Sequence, residues 1–368
     1  MTASRPAGPP PRTFGVEEEV VLLDPATLDP VDVAGEVVAE VCAADPAARV
    51  GHEFLQAQLE FASPVLETAE AADRAVRGFR RAVGAVAQRR ALIAASIGTP
   101  VGTRVPALTP DDRYTRFDAL LGAARPGHRI QGLHVHVAVD SRDEGVAVLR
   151  ALRPWLAPLL ALSANSPCFA ARDTGFASWR TIVGRRFTTA SVPPDFADAA
   201  DYDRRVTAIV GLGATIDLHS LFWMARLSET YPTVEVRVFD AQLSADDTVA
   251  LALLTRALVA AAAAGELPHA PAAAHPELLD AAVWHAARHG TSAELVDPTT
   301  ASVAPAWDVI GRMLEVARGA LEAAGDRARV ASFAERVRAS GTGAERQRAA
   351  LERGLPALAA LLRESFSA

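Results

Sequence analysis

Two hydrophobic rhythms alternate through the first two thirds of the chain. Short β-branched runs with apolar residues at every second position mark strands, whereas longer Ala-, Leu- and Arg-rich stretches with apolar residues three and four apart mark helices. The period-two runs predict strands at Thr13–Leu23, Gln58–Ala62, Ile130–Val139 and Thr233–Asp240. Helical spacing predicts helices at Gly35–Ala44, Leu66–Ala95, Asp143–Ala164, Tyr202–Ile209, Ala245–Ala264, Pro276–His289, Val303–Ala324, Arg327–Ala339 and Ala344–Ser367, so the last third is nearly all helix. Pro and Gly punctuate the boundaries. No internal repeat or long linker interrupts the pattern, which predicts one domain over residues 13–368. Residues 1–12 read as a disordered tail, and the Pro/Ala/His patch Leu267–Pro276 as an exposed loop.

Three of the strands carry ionisable side chains opposite an apolar face. In Phe14-Gly15-Val16-Glu17-Glu18-Glu19-Val20, alternation puts Glu17 and Glu19 on one face and Glu18 on the other. Taken alone, three glutamates read as a solvated edge strand that resists aggregation. In the third strand His134 and His136 lie opposite Leu133, Val135, Val137 and Val139, either as metal ligands or as ordinary polar-face residues. In the fourth, Glu235 and Arg237 lie opposite Val234, Val236 and Val238, which alone reads as an exposed ion pair. If these strands share one antiparallel sheet, their polar faces pool carboxylates that cannot all stay ionised without cations. A divalent metal site follows, and oxygen ligands without thiolate favour Mg²⁺ or Mn²⁺ over zinc. Glu53 and Glu60, seven residues apart, fall on opposite faces of a regular strand. A bulge or a switch from turn to strand is needed to bring both into one site, and either reads equally as a surface residue.

Composition narrows the partners. The chain has 368 residues, half of them hydrophobic, and a net charge of -7, which supplies a large core and no electrostatic reason to bind nucleic acid or an anionic membrane. A small charged or polar ligand fits better. All 37 basic residues are Arg. Without Lys there is no P-loop lysine, no pyridoxal Schiff base and no kinase strand lysine. Cys42 and Cys168 match neither a disulfide framework nor a zinc motif and suit a reducing cytoplasm. The most apolar stretch, Leu251–Ala264, is interrupted by Arg256 and too short to cross a bilayer, so a soluble protein is expected.

Five segments in order resemble the successive motifs of the glutamate-cysteine ligase type 2 family, the YbdK-like carboxylate-amine ligases. They are Gly15-Val16-Glu17-Glu18-Glu19, Glu53-Phe54-Leu55-Gln56-Ala57-Gln58-Leu59-Glu60, Gly132-Leu133-His134-Val135-His136-Val137, the run from Arg172 to Arg180, and Val234-Glu235-Val236-Arg237-Val238-Phe239-Asp240-Ala241. The resemblance implies an α+β fold in which a glutamine-synthetase-like antiparallel sheet curves into a funnel, packed with helices and followed by a helical C-terminal third. It also implies Mg-ATP binding without a P-loop. By the same resemblance Glu17, Glu19, Glu53, Glu60, His134 and Glu235 hold the metals. Arg180, in a loop-like segment suited to closing over a ligand, and Arg237 face the substrate carboxylate or the transferred phosphoryl group. His136 is left open as a ligand. Ala138 stands where the family often has Gly, and Glu53 at a position where relatives can carry Asp. The implied activity is ATP-dependent amide formation through an acyl phosphate, from a glutamate-like carboxylate and an amine that is cysteine or another small molecule. A metal-dependent hydrolase and a non-catalytic ATP- or metabolite-binding regulator are the alternatives. The amine, the number of metal ions and any homo-oligomer stay open.

Overall fold

In the computed structural model, which describes residues 11–268 and 275–368, the period-two segments assemble into one antiparallel sheet. Its strands are β1 (Phe14–Leu23), β2 (Val50–His52), β3 (Gln58–Ala62), β4 (Ile93–Ala95), β5 (Gly132–Ala138), β8 (Ala225–Leu227) and β9 (Thr233–Asp240). The spatial order is β2-β3-β1-β5-β9-β8, and β4 pairs with the C-terminal end of β1 beyond the point where β5 leaves it. Two small hairpins, β6 (Cys168–Phe169) with β7 (Arg172–Asp173) and β10 (Glu294–Asp297) with β11 (Ser302–Pro305), lie outside it. All four predicted strands are present. The glutamate-rich β1 is not an edge: β3 flanks it on one side and β5 and β4 on the other.

Helices α1 (Ala34–Ala44), α2 (Ala69–Arg89), α3 (Asp112–Leu121), α4 (Arg142–Leu152), α5 (Leu156–Ser163), α6 (Trp179–Gly184) and α7 (Ala199–Gly211) intervene between strands. The chain continues through α8 (Ala245–Ala263), α9 (Pro276–His289), α10 (Ala306–Ala324), α11 (Arg327–Ser340), α12 (Gly343–Glu352) and α13 (Leu355–Ser367). Several expected helices divide for local reasons. The stretch Leu66–Ala95 ends as a helix at Arg89, turns through Ala91 at φ 55°, and finishes as β4. Asp143–Ala164 breaks into α4 and α5 around Pro154, whose ring cannot sit in a helix interior. Gly354, at φ 100°, separates α12 from α13, and Val303 belongs to β11 rather than to α10. Residues 1–10 of the expected tail and 269–274 of the expected loop lie outside the described residues. Arg12 is not loose: its guanidinium donates to Ala138 O at 2.8 Å and pairs with Glu144 at 2.7 Å.

Burial follows the alternation. Phe14, Val16, Val20 and Leu22 of β1 join Leu133, Val135, Val137, Val234 and Val236 in a core shared with α2, α4 and α8. Helix α8 is apolar around most of its circumference and correspondingly buried. Glu18 lies on this helix-covered face and is fully buried. It is matched by Arg80 of α2, whose Nε and Nη2 donate to its two oxygens at 3.0 and 2.5 Å. The Thr248 hydroxyl of α8 donates to Glu18 at 2.7 Å, and Arg80 also caps the carbonyls of Gln242 and Leu243. One ion pair therefore ties the central strand to two helices. Breaking it leaves an uncompensated buried charge, so Glu18→Gln is expected to lower the unfolding free energy by about 3 kcal/mol in denaturant titration. The double replacement Glu18→Leu, Arg80→Met should recover most of that loss, because neither charge is then buried alone.

Candidate functional site

The opposite face of the same strands is polar because of how they pair. Glu17 of β1 sits opposite His134 of β5, Glu19 opposite Glu60 of β3, and His136 opposite Glu235 of β9. Directly paired residues share a face, so the expected set converges from three strand pairs. Glu53 joins it through the turn that its spacing required. Strands β2 and β3 form a hairpin in which Gly51 pairs with Glu60 and His52 with Leu59, which carries Glu53 opposite Gln58 and onto the face of Glu60. Between Leu133 and Val135 the register against β9 shifts by one residue. This bulge reverses the phase of β9 and brings Asp240, opposite Gly132, onto the same side as Glu235 and Arg237.

Of the expected residues, Glu17, Glu19, Glu53, Glu60, His134, Arg180 and Arg237 line a cavity of about 330 Å³, whereas Glu235, like His136 and Asp240, is not part of its lining. Ligand atoms of Glu17, Glu60 and His134 approach within 4.8 Å of one another, and so do those of Glu17, His136 and Glu235. His136 is thus part of the cluster, 3.3 Å from Glu17, with its other nitrogen 3.0 Å from the Thr233 hydroxyl. Desolvation and the neighbouring Glu53 charge push Glu19 up to about 7, outweighing Arg180 and the Gly132 N–H that donates to it at 2.7 Å. Desolvation likewise raises Glu53, against hydrogen bonds from the Phe54 N–H and from the Tyr114 hydroxyl, the latter at 3.1 Å. Glu60 is raised well above the ordinary range by desolvation and by the charges of Glu53, Glu17 and Glu19. Glu17 goes the other way, because hydrogen bonds and charge from His134 and His136 overcome its desolvation. Glu19, Glu53 and Glu60 thus resist ionising together, and their oxygen-rich set with one imidazole suits a hard divalent cation.

The arginines divide the cavity. Desolvation of Glu235 is overcome by Arg237 and Arg226, which hold it ionised: Arg226 donates to it at 2.7 Å and Arg237 contacts its other oxygen. Arg180 is not in a loop. The expected flexible segment is the β6–β7 hairpin followed by a turn, and Ser178 then caps α6 so that Arg180 lies in its first turn. Its Nη2 donates to Arg237 O at 3.2 Å, while its Nε has no partner among the described residues. A Cβ on Gly132 would come within 2.5 Å of Nη2, so the guanidinium lies directly over that glycine. Asp240, fully buried, accepts from the Asn165 N–H and from the hydroxyls of Ser166 and Ser178 at 2.7–2.8 Å, and Ser166 in turn accepts from the Arg180 N–H.

Tyr114, Arg226, His128 and Asp240 also belong to this site and were not among the sequence candidates. Tyr114 follows the Asp111 N-cap of α3, and its period with Phe117 and Leu121 is a legible helix signal. No pattern flags Asp240, since strict alternation puts it on the wrong face. Ala138, at the far end of β5, does not line the cavity.

The sequence profile of glutamate-cysteine ligase family 2 (GCS2) matches residues 13–363. A Frankia alni protein provisionally named glutamate–cysteine ligase 2-2 is 40% identical over 357 residues, covering 93% of each chain. A Salinispora arenicola protein provisionally named glutamate–cysteine ligase 2 is 38% identical over 351 residues, covering 93% of this chain and 90% of its own. Among solved structures, a glutamate–cysteine ligase from Francisella tularensis in complex with AMP superposes with a TM-score of 0.68 at 11% identity, covering 98% of this chain and 90% of that one. A bifunctional glutathione synthetase from Pasteurella multocida gives 0.69 at 15% identity, covering 97% of this chain and 52% of that one. At such identities the two structures show a shared fold.

The raised carboxyls set a pH dependence. A carboxyl whose pKa is higher folded than unfolded stabilises the fold at low pH and loses that contribution as pH rises through its folded value. His134 and His128, lowered to about 4 and about 3, act oppositely, but only below the ordinary histidine value near 6.5. Between pH 6.5 and 8 the Tm in EDTA is therefore expected to fall, Mg²⁺ to restore it, and Mg²⁺ affinity measured by calorimetry to rise with pH. Glu19→Gln should flatten that dependence.

Proposed function

The chain belongs to glutamate-cysteine ligase family 2, whose reaction is the ATP-dependent joining of a carboxylate to an amine, and on that premise we propose how its own residues carry the reaction. The acyl donor is a glutamate-like carboxylate and the acceptor a small-molecule amine, cysteine or another. The supporting observation is the juxtaposition, in one cavity, of carboxylates that cannot all ionise unaided with a half-buried guanidinium whose Nε is unpaired. Neither a hydrolase nor a non-catalytic regulator has comparable support, since the family and the relatives named above point to ligation.

In the first step a carboxylate oxygen attacks the γ-phosphorus of ATP, the bond from that phosphorus to the bridging oxygen breaks, and ADP leaves. In the second the amine lone pair attacks the acyl carbon, the carbon–oxygen bond to phosphate breaks, and phosphate and a proton depart as the amide forms. Glu17, Glu19, Glu53, Glu60 and His134 would hold Mg²⁺, or Mn²⁺ in its place, and a cation bound there would supply positive charge against the phosphates, work that a P-loop lysine does elsewhere. Glu235, held by Arg226 and Arg237, would position Arg237 for an anionic substrate, and its ligand atom lies within 4.8 Å of those of Glu17 and His136. Arg180 and Arg237 orient the donor carboxylate and stabilise the transferring phosphoryl group, a bidentate task that suits guanidinium. His134, with burial and Arg237 lowering it to about 4, stays neutral near pH 7 and keeps a nitrogen lone pair for a metal. Two free thiols, Cys42 and Cys168, agree with a cytoplasmic setting.

The direct test is ADP release with glutamate and a panel of amines, alongside calorimetry of ATP binding with Mg²⁺ and with EDTA. ADP formation that needs both organic substrates is expected, with ATP affinity at least about tenfold weaker in EDTA; equal affinity would remove the metal assignment.

Arg180→Lys and Arg237→Lys keep the charge and lose the fork, so kcat/KM should fall by about 10²-fold while Mg-ATP binding persists. Gly132→Ala should cause a similar loss, because the added methyl would lie 2.5 Å from Arg180 Nη2 and 3.1 Å from His134 Nε2, so that both side chains must shift.

A further inference from the structure

The cavity has two chemically different ends. Beginning at the residue after Glu53, part of its wall is formed by Phe54, Phe117, His128 and Phe222. The rings pack as one unit: Phe54 meets Phe117 edge-on at 5.1 Å, Phe187 stacks on Phe117 at 5.1 Å and on Phe222 at 4.5 Å, and His128 lies 5.3–6.1 Å from all four. His128 is 6% exposed, and its Nδ1 has no partner among the described residues. Desolvation, with the charges of Arg186 and Arg180, lowers it to about 3, so the ring is neutral at pH 7 and the wall carries no charge of its own. The wall is also preformed: the Thr109 N–H donates to Phe54 O at 3.0 Å and the Thr109 hydroxyl to Glu53 O at 2.6 Å.

We propose that this aromatic end receives the body of the amine substrate and selects an amine bearing an apolar group of aromatic size over cysteine. The inference rests on the ligase reading above and names the acceptor that reading leaves open. Position argues for the acceptor. Phe54 directly follows Glu53, and Tyr114, one turn before Phe117 on α3, donates to the Glu53 carboxylate. Ribose and the triphosphate chain separate an adenine from its γ-phosphate, so a ring wall one residue from a carboxylate that serves the metals stands too close for the base. The anionic donor is drawn to Arg180 and Arg237 instead. An amine entering over the rings meets Glu53 at their border; if it arrives as an ammonium it must release one proton to solvent before its nitrogen lone pair attacks at the reacting end. Size argues for an aromatic body, because a hydrophobic pocket discriminates by about 10- to 200-fold for each methylene left unfilled, and a thiol offers far less apolar surface than a ring to the edges that these packed side chains present to the cavity.

The test compares 2-phenylethylamine and phenylalanine with cysteine and glycine as acceptors in the full-length chain with Mg-ATP and glutamate. A kcat/KM at least about tenfold higher for an aromatic amine than for cysteine is expected. Phe222→Leu and Phe117→Leu, each checked for an unchanged unfolding midpoint, should lower that value about tenfold with the Kd for Mg-ATP unchanged. Preference for cysteine with active ligation overturns this inference and leaves the ligase reading intact. Weakened Mg-ATP binding in both variants also overturns it and assigns the rings to the base. If no pair releases ADP, the ligase reading fails, and calorimetry of 2-phenylethylamine still decides the pocket: binding that is lost in Phe222→Leu supports it, and no binding overturns it.

Discussion

The buried pair between Glu18 and Arg80 fixes which way β1 faces. A strand that slips by one residue exchanges its two faces entirely, and β1 carries carboxylates on both. Only one of the three has a guanidinium waiting beneath the sheet, with Thr248 and Ser96 close enough to satisfy its remaining lone pairs. Any slip would bury Glu17 or Glu19 against α2 and α8 and send Val20 or Val16 into the cavity. A buried ion pair contributes little net stability against apolar packing. Its work here is to make one register the only tolerable one, and the presentation of Glu17 and Glu19 follows from that.

Once those two glutamates face the cavity, the rest of the site answers an electrostatic problem. Around Glu235 the problem is solved internally, since Arg226 and Arg237 flank it and hold it ionised. Around Glu19, Glu53 and Glu60 it is not, and the carboxyls keep their protons to higher pH than usual. A chain whose positive charge is all guanidinium could have neutralised them with more arginine. It leaves them close to one another instead, an arrangement that the cation proposed above would complete. The same cavity also holds the guanidinium of Arg180, whose Nε has no partner among the described residues.

Much of this was legible in one dimension. Period-two alternation located β1, β3, β5 and β9, two of them with their observed limits, and it separated Glu18 from Glu17 and Glu19 correctly. It also paired His134 with His136 and Glu235 with Arg237 on single faces, because alternation holds wherever a strand is regular. What escaped was whatever depended on an irregularity. Glu53, which the alternation left open and the family resemblance named, needed the hairpin between β2 and β3, and Asp240 needed the bulge in β9. Arg180 looked like part of a mobile loop because α6 is short and its anchor, the hydrogen-bonded group of Asp240, Ser166 and Ser178, is assembled from distant segments.

The division has a physical cause. The sequence by itself determined which side chains share a strand face, the exclusion of lysine-based chemistry, and the gathering of acidic groups into a few short runs. Only the tertiary structure decided which face is buried and which opens on the cavity, because that depends on a partner 62 residues away, Arg80, presented by a helix. It also decided which carboxyls are neutralised and which are not, since charge compensation is set by distances between strands that are neighbours in the sheet and remote along the chain.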